Sequence, residues 1–314
     1  MGLLLEGEIL LMIIKNREKS TTHLILESLN NRMDLSFEDK MNYKNQVKGF
    51  EGECQFDQFI VQSGQAGLII NDLLLHAKNT YYQMDSLLIL NNRVHLYEVK
   101  NYAGTYMLKE GTLFADSGYS IQNPLDQVNR KKAYLHNLLL NMDYKIPISV
   151  YVAYMNPDFY IYSLPPTESI LFHGQLENHF RSIIQDKECQ KVRTPHNNLA
   201  ADLIHGHQAN YRSNLLPTYT FDALKKGIIC PSCFSYKFIK TRYNRICSSC
   251  GFKEKITDAV YRSVLEYQLL FPDRPVNVPN IQKWAGENYS KHNIRTVLNK
   301  ELTQHSMGPR TFYT

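Results

Sequence analysis

Three side chains stand at spacings that could hold a metal ion against a phosphate: Asp85 in "QMDSLLIL", and Glu98 and Lys100 in "RVHLYEVKNYAG". Strand side chains alternate faces, so Glu98 and Lys100 point the same way within an otherwise apolar run. Asn91-Asn92 separates the two runs and suits a two-residue turn, because asparagine tolerates positive φ. Leu90 then pairs with Arg93, and the same register sets Asp85 opposite Glu98, Cβ atoms about 5 Å apart. Two like charges so placed destabilise a sheet unless a cation lies between them. Mg²⁺ or Mn²⁺ takes carboxylate oxygens in this way. Lys100, one pleat along, adds a further positive charge. Such a set can activate a water and stabilise a pentavalent phosphorane. The plainer alternative is a solvated polar face with a Lys–Glu pair, and the flanking Leu96, Tyr97 and Val99 argue against it.

A second group is made of cysteines. "CPSC" (230–233) and "CSSC" (247–250) stand thirteen residues apart. Each CxxC forms a tight knuckle, so Cys230, Cys233, Cys247 and Cys250 are expected to close a tetrahedral four-thiolate site for structural Zn²⁺. That leaves no open coordination position for catalysis. Lys237, Lys240, Arg242 and Arg245 alternate with Tyr236, Phe238 and Tyr243 between the pairs, a pattern suited to phosphate contact with base stacking. Cys54 and Cys189 read as small buried apolar residues.

These groups must be positioned by regular elements. The sequence predicts a helix over "VKGFEGECQFDQFIVQSG", then strands in "AGLIINDLLL", "QMDSLLIL" and "VHLYEVKNY", with a weaker one in "GTYMLKEGTLFA". An amphipathic helix, "NPLDQVNRKKAYLHNLLLNM", and a buried strand, "PISVYVAYM", follow. This order describes one α/β domain over residues 41–165. Residues 1–40 read as a helical lead-in, 166–226 as an extension with a helix in "ILFHGQLENHFRSIIQD", 227–256 as the ribbon, and 257–314 as a helical module. In that module Ser290 is the expected N-cap of a helix that buries Ile294, Val297, Leu298 and Leu302. Lys291 and Arg295 lie on its other face, and "GPRTFY" reads as an extended wing, as in a winged helix entering a DNA groove.

The succession "KGFEGE" (48–53), "QMDSLLIL", "YEVKNYAG" and "NPLDQ" (123–127) resembles the NERD (nuclease-related domain) family of the PD-(D/E)xK, restriction-endonuclease-like superfamily. The resemblance implies a mixed sheet flanked by helices. It further implies Asp85 and Glu98 as metal-binding carboxylates, Lys100 as catalytic lysine, Glu53 as the acidic residue of the leading helix and Gln127 as an accessory polar group. Glu53 is preferred to Glu51 because it follows Gly52. Arg130 and Lys131, three and four positions beyond Gln127 on the same face, could contact the DNA backbone, or form an ordinary solvated basic face.

With 314 residues, 43% hydrophobic and 21% charged, the chain is long enough for two or three domains, and its net charge of +5 is compatible with nucleic acid. The CxxC usage favours a reducing cytoplasm over a disulfide framework. Glu6 and Glu8 interrupt the apolar N-terminus, which lacks a basic n-region, so a signal peptide is not expected, and the natural start is expected at Met12. No run reaches the ~20 apolar residues a membrane helix needs. The expected function is metal-dependent cleavage of phosphodiester bonds, in DNA. A non-catalytic nucleic-acid-binding or regulatory protein on the same scaffold is the alternative.

Overall fold

The structure, a computed structural model, describes residues 11–314 apart from 64–66, 78, 91, 185–193, 210, 214, 287 and 308–309. In chain order the first elements are β1 (Leu11–Lys15), α1 (Thr21–Arg32), α2 (Phe37–Gln62), β2 (Gly67–Ala77), β3 (Thr80–Leu90) and β4 (Arg93–Lys100). Then come β5 (Gly104–Lys109), β6 (Thr112–Ala115), β7 (Ser120–Gln122), α3 (Pro124–Asn141), β8 (Ile148–Tyr154), β9 (Phe159–Tyr162), β10 (Ile170–Phe172), α4 (Leu176–Ile184) and α5 (Thr194–His205). The last are β11 (Phe238–Lys240), β12 (Asn244–Cys247), β13 (Lys253–Lys255), α6 (Ile256–Leu270), α7 (Val278–Ala285), α8 (Lys291–Glu301), β14 (Gln304–Met307) and β15 (Arg310–Tyr313).

The chain forms two compact units. One contains the residues up to Ser20 and Lys44–Tyr211; the other contains Thr21–Tyr43 and Arg212–Thr314. The first is built on a mixed six-stranded sheet of order β1-β2-β3-β4-β8-β10. Its centre, β2-β3-β4, is antiparallel, and β1, β8 and β10 add in parallel at the two sides. The parallel step from β4 to β8 needs a long crossover. That crossover contains α3, which starts on the Asn123 side chain accepting from Leu125 N–H, with Pro124 in its first turn. Alternation divides the core in two. Leu87, Ile89, Val94 and Leu96 pack with Val128, Leu135 and Leu139 of α3; Leu88, Leu90, Tyr97 and Val99 pack with Phe56 and Ile60 of α2 and Leu176 and Phe180 of α4. A small sheet, β7-β6-β5-β9, follows the catalytic-strand candidate β4.

Two segments differ from the helical expectation. Residues 11–15 pair with β2 as a strand, because a β-branched and apolar run finds a free sheet edge there. "ILF" at the head of the expected 170–186 helix is strand β10, since the edge beside β8 takes it before α4 begins. The helix carrying Glu53 starts earlier than expected, at Phe37, behind Ser36, whose hydroxyl accepts from Asp39 N–H.

In the second unit α1 and α6 to α8 surround Trp284, Tyr267 and Leu298, the cysteine segment forms the three-stranded sheet β11-β12-β13, and β14-β15 is an antiparallel hairpin. None of the described helices is long and apolar enough to cross a membrane.

Candidate active site

The β3–β4 hairpin has the register expected from its Asn-Asn turn: Leu90 pairs with Arg93 and Ser86 with Tyr97. Asn92 takes the positive φ that the turn needs, 52°. One step beyond Ser86, Asp85 leaves the ladder, and its Oδ2 accepts from Val99 N–H at 2.8 Å. Asp85 is thereby fixed beside Glu98, both of them buried. Lys100 Nζ donates to Glu98 Oε1 at 2.7 Å. The remaining oxygens, Asp85 Oδ1 and Glu98 Oε2, both face the ammonium of Lys131, which lies 3.5 Å from Asp85 and in close contact with Glu98.

Lys131 was expected at the surface against DNA; it is instead 7% exposed and ion-paired inside the site. The physical reason is the stripe it belongs to. Val128, Lys131, Leu135 and Leu139 are the buried face of α3, so the lysine enters the core with its apolar neighbours and must find carboxylates there. That stripe was the overlooked signal in the sequence. Gln127 lies half-buried one turn before Lys131, and Arg130 is exposed, 3.4 Å from Gln122 Oε1.

Glu53 comes from α2, and the sequence offered no sign of its main partner. Arg17, between β1 and α1, places Nη1 2.7 Å from Glu53 Oε2, binds Asp57 through Nε and Nη2, and donates from Nη2 to the Asp85 carbonyl. Nothing in the polar segment around Arg17 distinguishes it from Lys15 or Lys19. Glu51 is exposed. Gly52 is required by close approach: a Cβ there would lie 2.6 Å from Asn101 Cβ, and Asn101 donates to the Lys48 carbonyl at 2.8 Å. This contact packs the Glu53 helix on the end of β4. Gly104, at φ +91°, turns the chain into β5.

The electrostatics follow from this packing. Burial would raise the Asp85 carboxyl, but the charges of Lys131 and Lys100, with the Val99 N–H and Arg17, outweigh it and hold the group below its ordinary value. Burial works against charge on Lys100 and Lys131; the carboxylates prevail and raise both. Glu53 goes the other way. Burial first, then the Asp85 charge, push it up to about 8, and Arg17 offsets only part of this. Among the described residues no third carboxylate or histidine joins Asp85 and Glu98 at metal-binding spacing. The pair itself suits a hard cation: its donors are carboxylate oxygens, and a side-chain ammonium already fills the place between them.

The four cysteine sulfurs lie within 4.8 Å of one another, with Cys230–Cys250 at 3.6 Å and Cys233–Cys247 at 3.5 Å. A tetrahedral zinc with bonds of about 2.3 Å places its sulfurs about 3.8 Å apart, so the cluster could bind zinc. Burial raises the Cys247 thiol, yet the Cys250 and Ser249 N–H groups aimed at it bring it down to about 6. Cys54 is half-buried, and Cys189 lies outside the described residues.

Of the basic residues expected to meet nucleic acid in this unit, Lys237, Arg242, Lys291 and Arg295 are exposed. Lys240 donates to the Asn288 carbonyl and lies 3.5 Å over the Tyr289 ring. Arg245 differs from the expectation: it is fully buried, hydrogen-bonded to Tyr289 Oη and the Ile228 carbonyl and paired with Glu254. It shares a strand face with Cys247, so alternation takes it inward. Ser290 caps α8 by accepting from Asn293 N–H, and Ile294, Val297 and Leu298 are buried as expected. Leu302 is half-buried beside them.

A mixed sheet flanked by helices, with a buried Asp–Glu pair and a lysine at the end of its central hairpin, is consistent with a nuclease-like scaffold. Residues 48–155 match the family model of the nuclease-related domain, NERD. No curated protein and no solved structure matches the chain.

Proposed function

We propose that this protein hydrolyses phosphodiester bonds in DNA with Mg²⁺ or Mn²⁺ held by Asp85 and Glu98. The observation that carries the reading is the convergence of Asp85, Glu98 and Lys100 within a domain of nuclease-related family. When bound, the cation supplies a Lewis acid that acidifies a water and neutralises phosphate charge. Lys100 stays cationic and stabilises charge developing on the phosphate oxygens. Glu53, held by Arg17 on the α2 side of the site, would add a contact to the metal or its water. Gln127 adds a polar group from α3. Four Cys thiolates hold a structural Zn²⁺, a use that fits a reducing cytoplasm. Lys237, Arg242, Lys291, Arg295 and Arg130 supply phosphate contacts, whose loss should reduce the salt dependence of binding.

One observation favours a second reading, binding without turnover: each oxygen of the Asp85–Glu98 pair already faces a protein donor. Incubation of labelled DNA and RNA with Mg²⁺ or Mn²⁺ separates the two. Cleavage is expected, falling at least about 100-fold in Asp85→Ala and Lys100→Ala while mobility-shift binding persists. Undiminished cleavage by both variants would sink the catalytic assignment, and binding without any cleavage would support the second reading.

A further inference from the structure

The position of Lys131 bears on how the proposed metal site is held and filled. Asp85 Oδ2 is taken by Val99 N–H and Glu98 Oε1 by Lys100. Asp85 Oδ1 and Glu98 Oε2 face each other across the two strands, and the Lys131 ammonium sits on both. A cation held by these two carboxylates would compete with the Lys131 ammonium for them. Two buried carboxylates side by side, with nothing between them, would repel and leave their burial uncompensated.

We propose that Lys131 is a positioning residue that stands in for the divalent cation: its ammonium keeps Asp85 and Glu98 converged in the metal-free protein and is displaced from them when metal binds. This rests on the metal-site reading above. Two features of the chain support it. Lys131 lies on the buried stripe of α3, so its backbone is held by Val128 and Leu135 and only its four-carbon stem has to move. Asp85, Glu98, Lys100 and Lys131 together balance in charge, two negative against two positive. Adding a divalent ion leaves an excess of positive charge, which an anionic phosphodiester relieves. Lys131 therefore weakens metal binding to the free protein and makes it depend on substrate, and the coupling is reciprocal.

The test is calorimetric titration of the full chain, its cysteine site first loaded with Zn²⁺, with Mn²⁺ alone and at constant pH. Lys131→Met is expected to bind Mn²⁺ about tenfold tighter than wild type. It should also melt at lower temperature than wild type in EDTA, and Mn²⁺ should restore more stability to it. Lys131→Gln keeps a donor toward Glu98 without the charge, and should also bind tighter if Lys131→Met does not fold without metal. Equal or weaker Mn²⁺ binding by the folded variants overturns the stand-in role while leaving the metal site intact. Failure of wild type to bind, or undiminished binding by Asp85→Asn, overturns the metal-site reading and this inference with it.

Discussion

The hairpin site and the cysteine cluster both gather four groups of potential charge, yet they are assembled in opposite ways. The thiolates come from two knuckles only thirteen residues apart, and backbone N–H groups within the second knuckle tune Cys247. The carboxylate site is drawn from β3, β4 and α3, with Arg17 and Glu53 of α2 beside it, and apart from the Lys100–Glu98 pair its members are held by partners distant in sequence. A local cluster depends on its ligand for order. A dispersed one depends on the fold that brings it together, and it neutralises itself with the protein's own cations.

Cys247→Ser should separate the two regions most clearly. Loss of one thiolate is expected to abolish stoichiometric zinc binding and to unfold the ribbon, on the scale of about 10 kcal/mol that structural zinc contributes to small domains. Metal analysis and the tryptophan signal of Trp284 would report this, while the sheet containing Asp85 should keep its own unfolding transition. Retained zinc in Cys247→Ser would break the comparison. Arg17→Met is the converse experiment. It leaves Glu53 and Asp57 without their guanidinium in a half-buried setting and should destabilise the sheet unit by about 3–5 kcal/mol, read from the denaturant midpoint, with zinc content unchanged.

Acid should act on the sheet unit through a different pair. Burial, helped by His179 and Arg93, pulls His95 down to about 4, and burial alone does the same to His179. The unfolded chain takes up these protons first, so the stability is fully present above pH of about 6.5 and is lost as pH falls toward about 4. For His95 the loss is of order 3 kcal/mol. A midpoint unchanged between pH 7 and 5 would contradict this, and His95→Phe should flatten the dependence.

Much of the candidate site was legible because it rests on short-range rules. Strand alternation with an Asn-Asn turn was enough to set Asp85 beside Glu98 and Lys100, and the Gly52–Asn101 contact packs the helix of Glu53 against the end of the strand that ends in Lys100. The small strands β1, β7, β9 and β10 were not legible, since edge pairing of three to five residues leaves little pattern. Arg245 was misplaced as a nucleic-acid contact because basic residues between cysteines suggest a surface, whereas its strand face is that of Cys247.

By itself the sequence determined which residues could do chemistry, and the hairpin register that aligns them, because alternation and turn geometry act over a few residues. It also determined the four-sulfur set, because CxxC spacing is a local constraint. Only the tertiary structure decided what neutralises the carboxylates. Arg17 is 68 residues from Asp85 and Lys131 is 33 from Glu98. No periodicity spans such separations; it is the packing of α3 on the sheet, with Lys131 on its apolar stripe, that turns an apparent surface lysine into the cation at the centre of the site.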